Sequence, residues 1–277
     1  MNVSDSINNI GYFVILIFIF LYFYRLYIWL TNDSTFGEEM LLHESNPKPS
    51  LRPKTNLEPV NDIFLTIICK LSPKYKEAKN QLTNLKLLIN DLLPNELKFE
   101  VICPITNPSG KILRNLSELQ KLIPGMKIFN LEFNDTQNFV ICSFFSRGIW
   151  IVDASSIKYS INEIIKKNKS KRFNYAIFSS PEICQGKNSM AKIVAISKIS
   201  SIQLFRNLHH FGIGSGMEML ILCNMLNIKI ALKTYPFSTK LYDIIILYAN
   251  ALYGSFITLL YKFKVYSIKG NNSKKNR

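Results

Sequence analysis

Residues 63–105 read IFLTIICKLSPKYKEAKNQLTNLKLLINDLLPNELKFEVICPI, and this stretch decides the fold. Residues 63–69 are a short continuous apolar run, the pattern of a strand buried on both faces. Residues 75–93 have helical periodicity through Ala78, Leu82, Leu85 and Ile89, and Pro94 follows their end. Residues 99–105 (FEVICPI) are a second apolar strand. Strands that are apolar along their length, joined by an amphipathic helix, belong to a parallel sheet covered on both sides.

The alternation continues downstream. Residues 115–123 predict a short helix, 126–133 a third strand and 139–145 a helix closed by Arg147-Gly148. Residues 149–154 (IWIVDA) form a fourth strand with Asp153 at its C-terminal end. A basic helix over 161–167, a strand over 175–179, a helix over 217–226 and a strand over 228–234 complete the pattern. The expectation is one α/β domain over residues 59–237, with a mostly parallel sheet and helices on both faces. No internal repeat is visible.

Upstream, residues 10–30 read IGYFVILIFIFLYFYRLYIWL, apolar all round with Arg25 as the one charge. At about 1.5 Å per residue this run can cross a hydrocarbon core of about 30 Å, so it predicts a transmembrane anchor. No basic residue precedes it and no small-residue cleavage site follows, which sets it apart from a secretory signal. The short segment 1–9 carries only Asp5, whereas Arg25, Lys48, Arg52 and Lys54 lie at or beyond the anchor's C-terminal end. The positive-inside rule then places residues 31–277 in the cytosol. Residues 31–58 are a polar, proline-containing linker. Residues 238–266 predict an apolar–basic helix, followed by a basic tail over 267–277. Within it 244–261 carry no charge but are diluted by Asn250, Gly254, Ser255 and Thr258, and flanked by lysines. An interfacial or partly inserted helix is expected there, with a second span and a buried helix as the alternatives.

The chain has 34 Lys and Arg against 19 Asp and Glu, a net charge of +15. That balance favours an anionic partner. Beside a bilayer, the membrane surface and a lipid phosphate are favoured over nucleic acid, for which no motif is present. Cys69, Cys103, Cys142, Cys184 and Cys223 are scattered in apolar runs and predict reduced core thiols. His43, His209 and His210 form no metal constellation with them. The run Lys166, Lys167, Lys169, Lys171 and Arg172 reads as a solvated face.

Taken in order, several motifs resemble the dolichyl-phosphate β-glucosyltransferases, family 2 glycosyltransferases of the GT-A fold. Pro73-Lys74-Tyr75-Lys76-Glu77 matches the family's Pro-x-Tyr-Asn-Glu, and Phe99-Glu100-Val101-Ile102 its Glu-Val-Ile strand. Ser146-Arg147-Gly148 matches Ser-Arg-Gly, and Asp153-Ala154-Ser155 matches Asp-Ala-Asp. Leu208-His209, Met217-Glu218-Met219-Leu220 and Asn227-Ile228-Lys229-Ile230 resemble its Leu-His, Val-Glu-Leu-Leu and Lys-Ile-Pro-Ile. The resemblance implies a GT-A-like domain at the cytosolic face of the endoplasmic reticulum membrane. It implies inverting transfer of glucose from UDP-glucose to dolichyl phosphate, in the assembly of N-glycan precursors. It also implies a divalent cation, Mg²⁺ or Mn²⁺, on Asp153, which doubles as the candidate catalytic residue, and nucleotide-sugar contacts from Pro73, Tyr75 and Glu77.

The sequence departs from the family where the family places acids. Ser155 stands at the second acid of Asp-Ala-Asp. Thr106 and Asn107 replace the acidic pair after the second strand, and Gly216 the acid two residues before Glu218. Each retained residue also has a structural reading. Asp153 suits a helix cap, Tyr75 and Glu77 a first helical turn, and Glu218 a helix interior. Two further functions stay open: a catalytically inactive relative acting as a membrane-bound scaffold or partner subunit, and an unrelated basic protein binding phospholipid heads.

Overall fold

The structure is a computed structural model. It describes residues 63–94, 97–131, 133–169, 173–181, 192–208 and 215–235, and within the two apolar runs residues 16–17, 19–20, 23–24, 252, 255–256 and 258–259. The opening unit is β1 (Leu65–Ile68), α1 (Tyr75–Leu92) and β2 (Phe99–Ile105). Two short helices, α2 (Gly110–Arg114) and α3 (Leu116–Leu122), lead to β3 (Lys127–Asn130) and α4 (Asp135–Phe145). Strand β4 (Trp150–Asp153) runs through a 3₁₀ turn at Ala154–Ser156 into α5 (Ile157–Lys169). Then come β5 (Tyr175–Pro181), β6 (Lys192–Ser197), α6 (Lys198–Phe205), α7 (Ser215–Met225) and β7 (Lys229–Tyr235).

The strands form one seven-stranded sheet in the order β3-β2-β1-β4-β6-β5-β7. Pairings β1–β2, β1–β4, β2–β3 and β5–β7 are parallel, and only β6 runs against its neighbours β4 and β5. The mostly parallel sheet and its two-sided helical cover therefore match the sequence reading. Successive strand residues feed two cores, as the period of two requires. Leu65, Ile67, Val101, Cys103, Trp150 and Val152 pack with α1, α3 and α5. Ile68, Ile102 and Ile151 pack with α4, α6 and α7 on the other face. Helix α1 buries the four residues its periodicity marks, Ala78, Leu82, Leu85 and Ile89.

Several bounds differ for identifiable reasons. Helix α4 begins four residues before the apolar run, because Asn134 and Gln137 form a reciprocal capping box. Helix α2 occupies part of what reads as a turn. There Asn107 adopts φ 49° in the left-handed region, and the Ser109 side chain accepts from the Ile112 N–H to start the helix. Strand β6 and helix α6 went unassigned in the sequence. Their segment KIVAISKISS is punctuated by lysines and serines that look like surface residues. Lys198 is nevertheless fully buried: its ammonium donates to the carbonyls of Ser143 (2.7 Å) and Phe144 (3.1 Å) and to Ser146 Oγ (3.2 Å). It thus satisfies the last carbonyls of α4, where the helix dipole favours a cation.

The Ser146-Arg147-Gly148 motif sits at the N-terminal edge of the sheet, one strand length from Asp153. Glu100 is buried there. It accepts from Thr66 Oγ1 (2.7 Å), from the Arg147 backbone and Nε (3.1 Å) and from Lys127 Nζ (3.2 Å). The Gly148 N–H donates to Thr66 Oγ1 at 2.9 Å. Burial pushes the Glu100 carboxyl up, but the Arg147 N–H, the Thr66 hydroxyl and the Lys127 ammonium outweigh it and hold the group below its ordinary value. This motif leads into β4 and holds the buried Glu100 carboxylate.

Most of residues 10–30 and 244–261 lie outside the described residues, and among the described residues no helix is long and apolar enough to cross a membrane. The described positions of both runs are helical. Phe23 and Phe256 meet with ring centroids 4.8 Å apart, and both pack against the α4–α6–α7 core. Cys69, Cys103, Cys142 and Cys223 are free and buried, as expected of core thiols; Cys184 lies outside the described residues. Burial pushes the Cys223 thiol up to about 12 and Cys142 higher still.

Candidate functional site

The chain runs from β1 outward through β2 to β3, then returns to lay β4 on the opposite side of β1. Connections leaving β1 and β4 diverge at such a switch point, and a crevice opens beyond the carboxyl ends of the strands. A cleft of about 540 Å³ lies there. Ile68, Cys69 and Lys70 line it from the end of β1, and Asp153, Ala154 and Ser155 from the end of β4. Helix α1 contributes Gln81, Asn84, Leu85 and Leu88, and α4 contributes Asp135, Asn138 and Phe139. Lys192 completes the wall. Because β6 is antiparallel, its first residue lies at the same edge as the last residues of β1 and β4.

Asp153 is the sequence-predicted site residue that the cleft contains. Its Oδ1 accepts from the Ser155 N–H (2.9 Å) and hydroxyl (2.6 Å), and its Oδ2 from Lys192 Nζ (3.0 Å). The carboxylate therefore caps the 3₁₀ turn and pairs with a lysine. Lys70 pairs in the same way with Asp135 across the cleft. A polar acceptor sits among them: Asn138, 1% exposed, donates its Nδ2 to Phe133 O at 3.0 Å, while its Oδ1 has no partner. That oxygen is closed to solvent within the cleft wall.

Pro73, Tyr75 and Glu77 do not line this cleft. The Pro73 carbonyl accepts from the Ser109 N–H at 3.1 Å. Tyr75 donates its hydroxyl to Glu118, which also takes Lys79 at 2.7 Å, and Lys111 lies over the ring. Glu77 takes the Ser72 hydroxyl (2.6 Å) and Lys74 (3.2 Å), which hold its carboxyl below the ordinary range. All three positions tie the start of α1 to its surroundings. Thr106 donates to the Leu131 carbonyl at 2.8 Å, and Glu218 is fully buried within α7. His209 and His210 lie outside the described residues.

Whether these residues suit a divalent cation is decided by the donor set. Hard cations take several oxygen ligands, usually one or two carboxylates plus phosphate oxygens. The cleft's two carboxylates, Asp153 and Asp135, are each paired with a lysine ammonium, and both oxygens of Asp153 are engaged. Among the described residues no group of three His, Cys, Asp or Glu side chains could hold a metal. The residues present do not fit the expected Mg²⁺ or Mn²⁺. Lys192, Lys70 and Asn138 were missed by sequence reasoning. Lys70 follows β1, Asn138 lies in the first turns of α4, and the antiparallel direction of β6 brings Lys192.

No known family's sequence profile matches the chain. No curated protein matches it significantly. Among solved structures it is similar to the mannosyltransferase PcManGT from Pyrobaculum calidifontis in complex with GDP-Man and Mn²⁺. That match has 11% identity over 82% of this chain and 71% of the other, with TM-score 0.46. It is similar to the 4-diphosphocytidyl-2C-methyl-D-erythritol synthase from Anaerococcus prevotii, at 12% identity over 70% and 97% with TM-score 0.42. It is also similar to a putative nucleotide-diphospho-sugar transferase from Desulfovibrio desulfuricans, at 8% identity over 72% and 95% with TM-score 0.40. Scores below 0.5 at such identity do not bear on what this chain does.

Proposed function

We propose that the chain is a membrane-associated, glycosyltransferase-like protein whose cleft binds a nucleotide-diphospho-sugar. The specific reading is glucose transfer from UDP-glucose to dolichyl phosphate at the cytosolic face of the endoplasmic reticulum, with residues 10–30 as anchor and 244–261 at the interface. One observation carries the reading. At the β1–β4 switch point lies a cleft of suitable volume with two lysines, Lys70 and Lys192, on its wall.

The chemistry needs little from the protein beyond placement. An oxygen of the acceptor phosphate, already ionised at neutral pH, attacks the anomeric carbon. The bond from that carbon to the donor diphosphate breaks in line, and the electron pair leaves with UDP. A phosphate nucleophile needs no strong general base, so Gly216 in place of an acid does not preclude the step. Lysines near the leaving group stabilise the charge that develops there.

The test is UDP-glucose titration onto the full chain in detergent, followed by transfer of labelled glucose to dolichyl phosphate. Saturable binding and labelled lipid are expected. Absence of binding by any nucleoside diphosphate sugar would overturn the reading. The pairing of both cleft acids with lysines favours a second reading, a relative that binds donor without turnover. Binding with no labelled lipid and no UDP release would establish it.

A further inference from the structure

We infer that this cleft takes its diphosphate without a divalent cation, with Lys192 supplying the positive charge and Asp153 holding that lysine in place. The inference deepens the proposed nucleotide-sugar site and rests on it. A diphosphate ester brings two negative charges, and something in the cleft must meet them. The carboxylate best placed to recruit a metal is Asp153. Its Oδ1 already receives both donors of Ser155, and its Oδ2 receives Lys192 at 3.0 Å. A metal ion at Oδ2 would have to displace an ammonium of the same sign.

Lys192 has the opposite relation to a phosphate. Its ammonium carries three donors, one directed at Asp153; the side chain lines the cleft and is 60% exposed, while Asp153 is 19% exposed. Two donors remain for phosphate oxygens while the pair with Asp153 stays intact. Charge-assisted bonds of this kind are the strong ones, and a lysine acts on phosphate as a point charge. Lys70, paired with Asp135 in the same cleft, adds a second ammonium. Ser155, which stands where the resemblance places a second acid, donates to Asp153 and so fixes the carboxylate that fixes the lysine. Asp153 is thus a positioning residue here.

The experiment is calorimetric titration of UDP and UDP-glucose onto the full chain in detergent, in EDTA and in Mn²⁺ or Mg²⁺. Affinities in the two buffers should agree within about threefold. Lys192→Gln should weaken binding on the order of tenfold or more with no rescue by metal, and Lys192→Arg should retain most of it. Thermal midpoints of both variants should match the wild type, because the side chain is exposed. Wild-type binding that vanishes in EDTA and returns with Mn²⁺ would overturn the inference and leave the nucleotide-sugar reading standing. Unchanged binding by Lys192→Gln would overturn it as well. Failure of the wild type to bind UDP, GDP or UDP-glucose in either buffer would remove both readings together.

Discussion

Gly148→Ala tests the closure at the N-terminal edge of the sheet. A Cβ built on Gly148 would lie 2.5 Å from the Thr66 backbone nitrogen, 2.7 Å from Thr66 Oγ1 and 2.8 Å from the Leu65 carbonyl carbon. Ordinary contacts begin near 3.4 Å. Two of the three atoms are backbone of β1, the strand paired on both sides by β2 and β4, so neither can rotate away. Overpacking of a rigid interior costs about 1–3 kcal/mol. Displacing the 148 amide also strains its bond to Thr66 and the Thr66 bond to Glu100, each worth about 1 kcal/mol net. The sum is about 3–5 kcal/mol, a large share of the roughly 5–15 kcal/mol that holds a domain together. Urea unfolding of the two proteins gives the number directly. Gly110→Ala is the control: nothing lies within 4 Å of its Cβ, and its position in the first turn of α2 should make the change neutral or slightly stabilising. A Gly148→Ala loss below about 1 kcal/mol would refute the claim that the Ser-Arg-Gly turn admits only glycine here.

Three further outcomes are expected. Burial lowers Lys198 to about 7, with Glu100 opposing the shift, whereas an unfolded lysine keeps its proton to about 10.4. Above pH 7 the unfolded chain therefore binds one more proton, so this group makes stability rise with pH by about 1.4 kcal/mol per unit. Lys198→Met should remove that rise in urea unfolding at pH 7.5 and 9 under reductant; parallel pH slopes for the two proteins would mean that the folded lysine keeps its proton, against the lowered value. The Glu100 carboxyl is held low, so its contribution is full above about pH 4.5 and fades as pH falls through its lower folded value. Glu100→Gln should lose about 2–3 kcal/mol at pH 7, less than a fully buried pair because Arg147 and Lys127 are partly exposed, and the gap should narrow below pH 4. Asn138→Leu should cost about 1 kcal/mol in urea unfolding, because the Nδ2 bond to the Phe133 carbonyl is lost while Oδ1 bonds no described group; an unchanged midpoint would show that this bond does not support the start of α4.

How much was legible divides along physical lines. The strand–helix alternation is written in apolar periodicity, so β1 to β4, α1 and the two-sided cover could be read directly. Strand β6 could not, because its apolar core is only IVAI and its flanking lysine is a helix-capping donor that only tertiary structure reveals. The cleft depended on that omission. Asp153 was found because an acid at a strand end is a local signal. Lys192, which decides what Asp153 can do, arrives from a strand of opposite direction, and no spacing in the sequence encodes that encounter. Tyr75 and Glu77 show the converse. Their spacing matches a family motif, and Glu118, Ser72 and Lys74 take their polar atoms around the first turn of α1.

The meeting of Phe23 with Phe256 also sets an order of events in time. One ring emerges before the strands and helices that separate the two, and its companion after them. Domains form as units while the chain is still lengthening, and contacts between distant segments come late. The early ring must therefore wait, uncovered or lent to another surface, until residue 256 has been made. A ribosome stalled before residue 256 would hold a folded sheet with an unfinished clasp, and that is the stage at which a chaperone or the bilayer itself would have most to occupy.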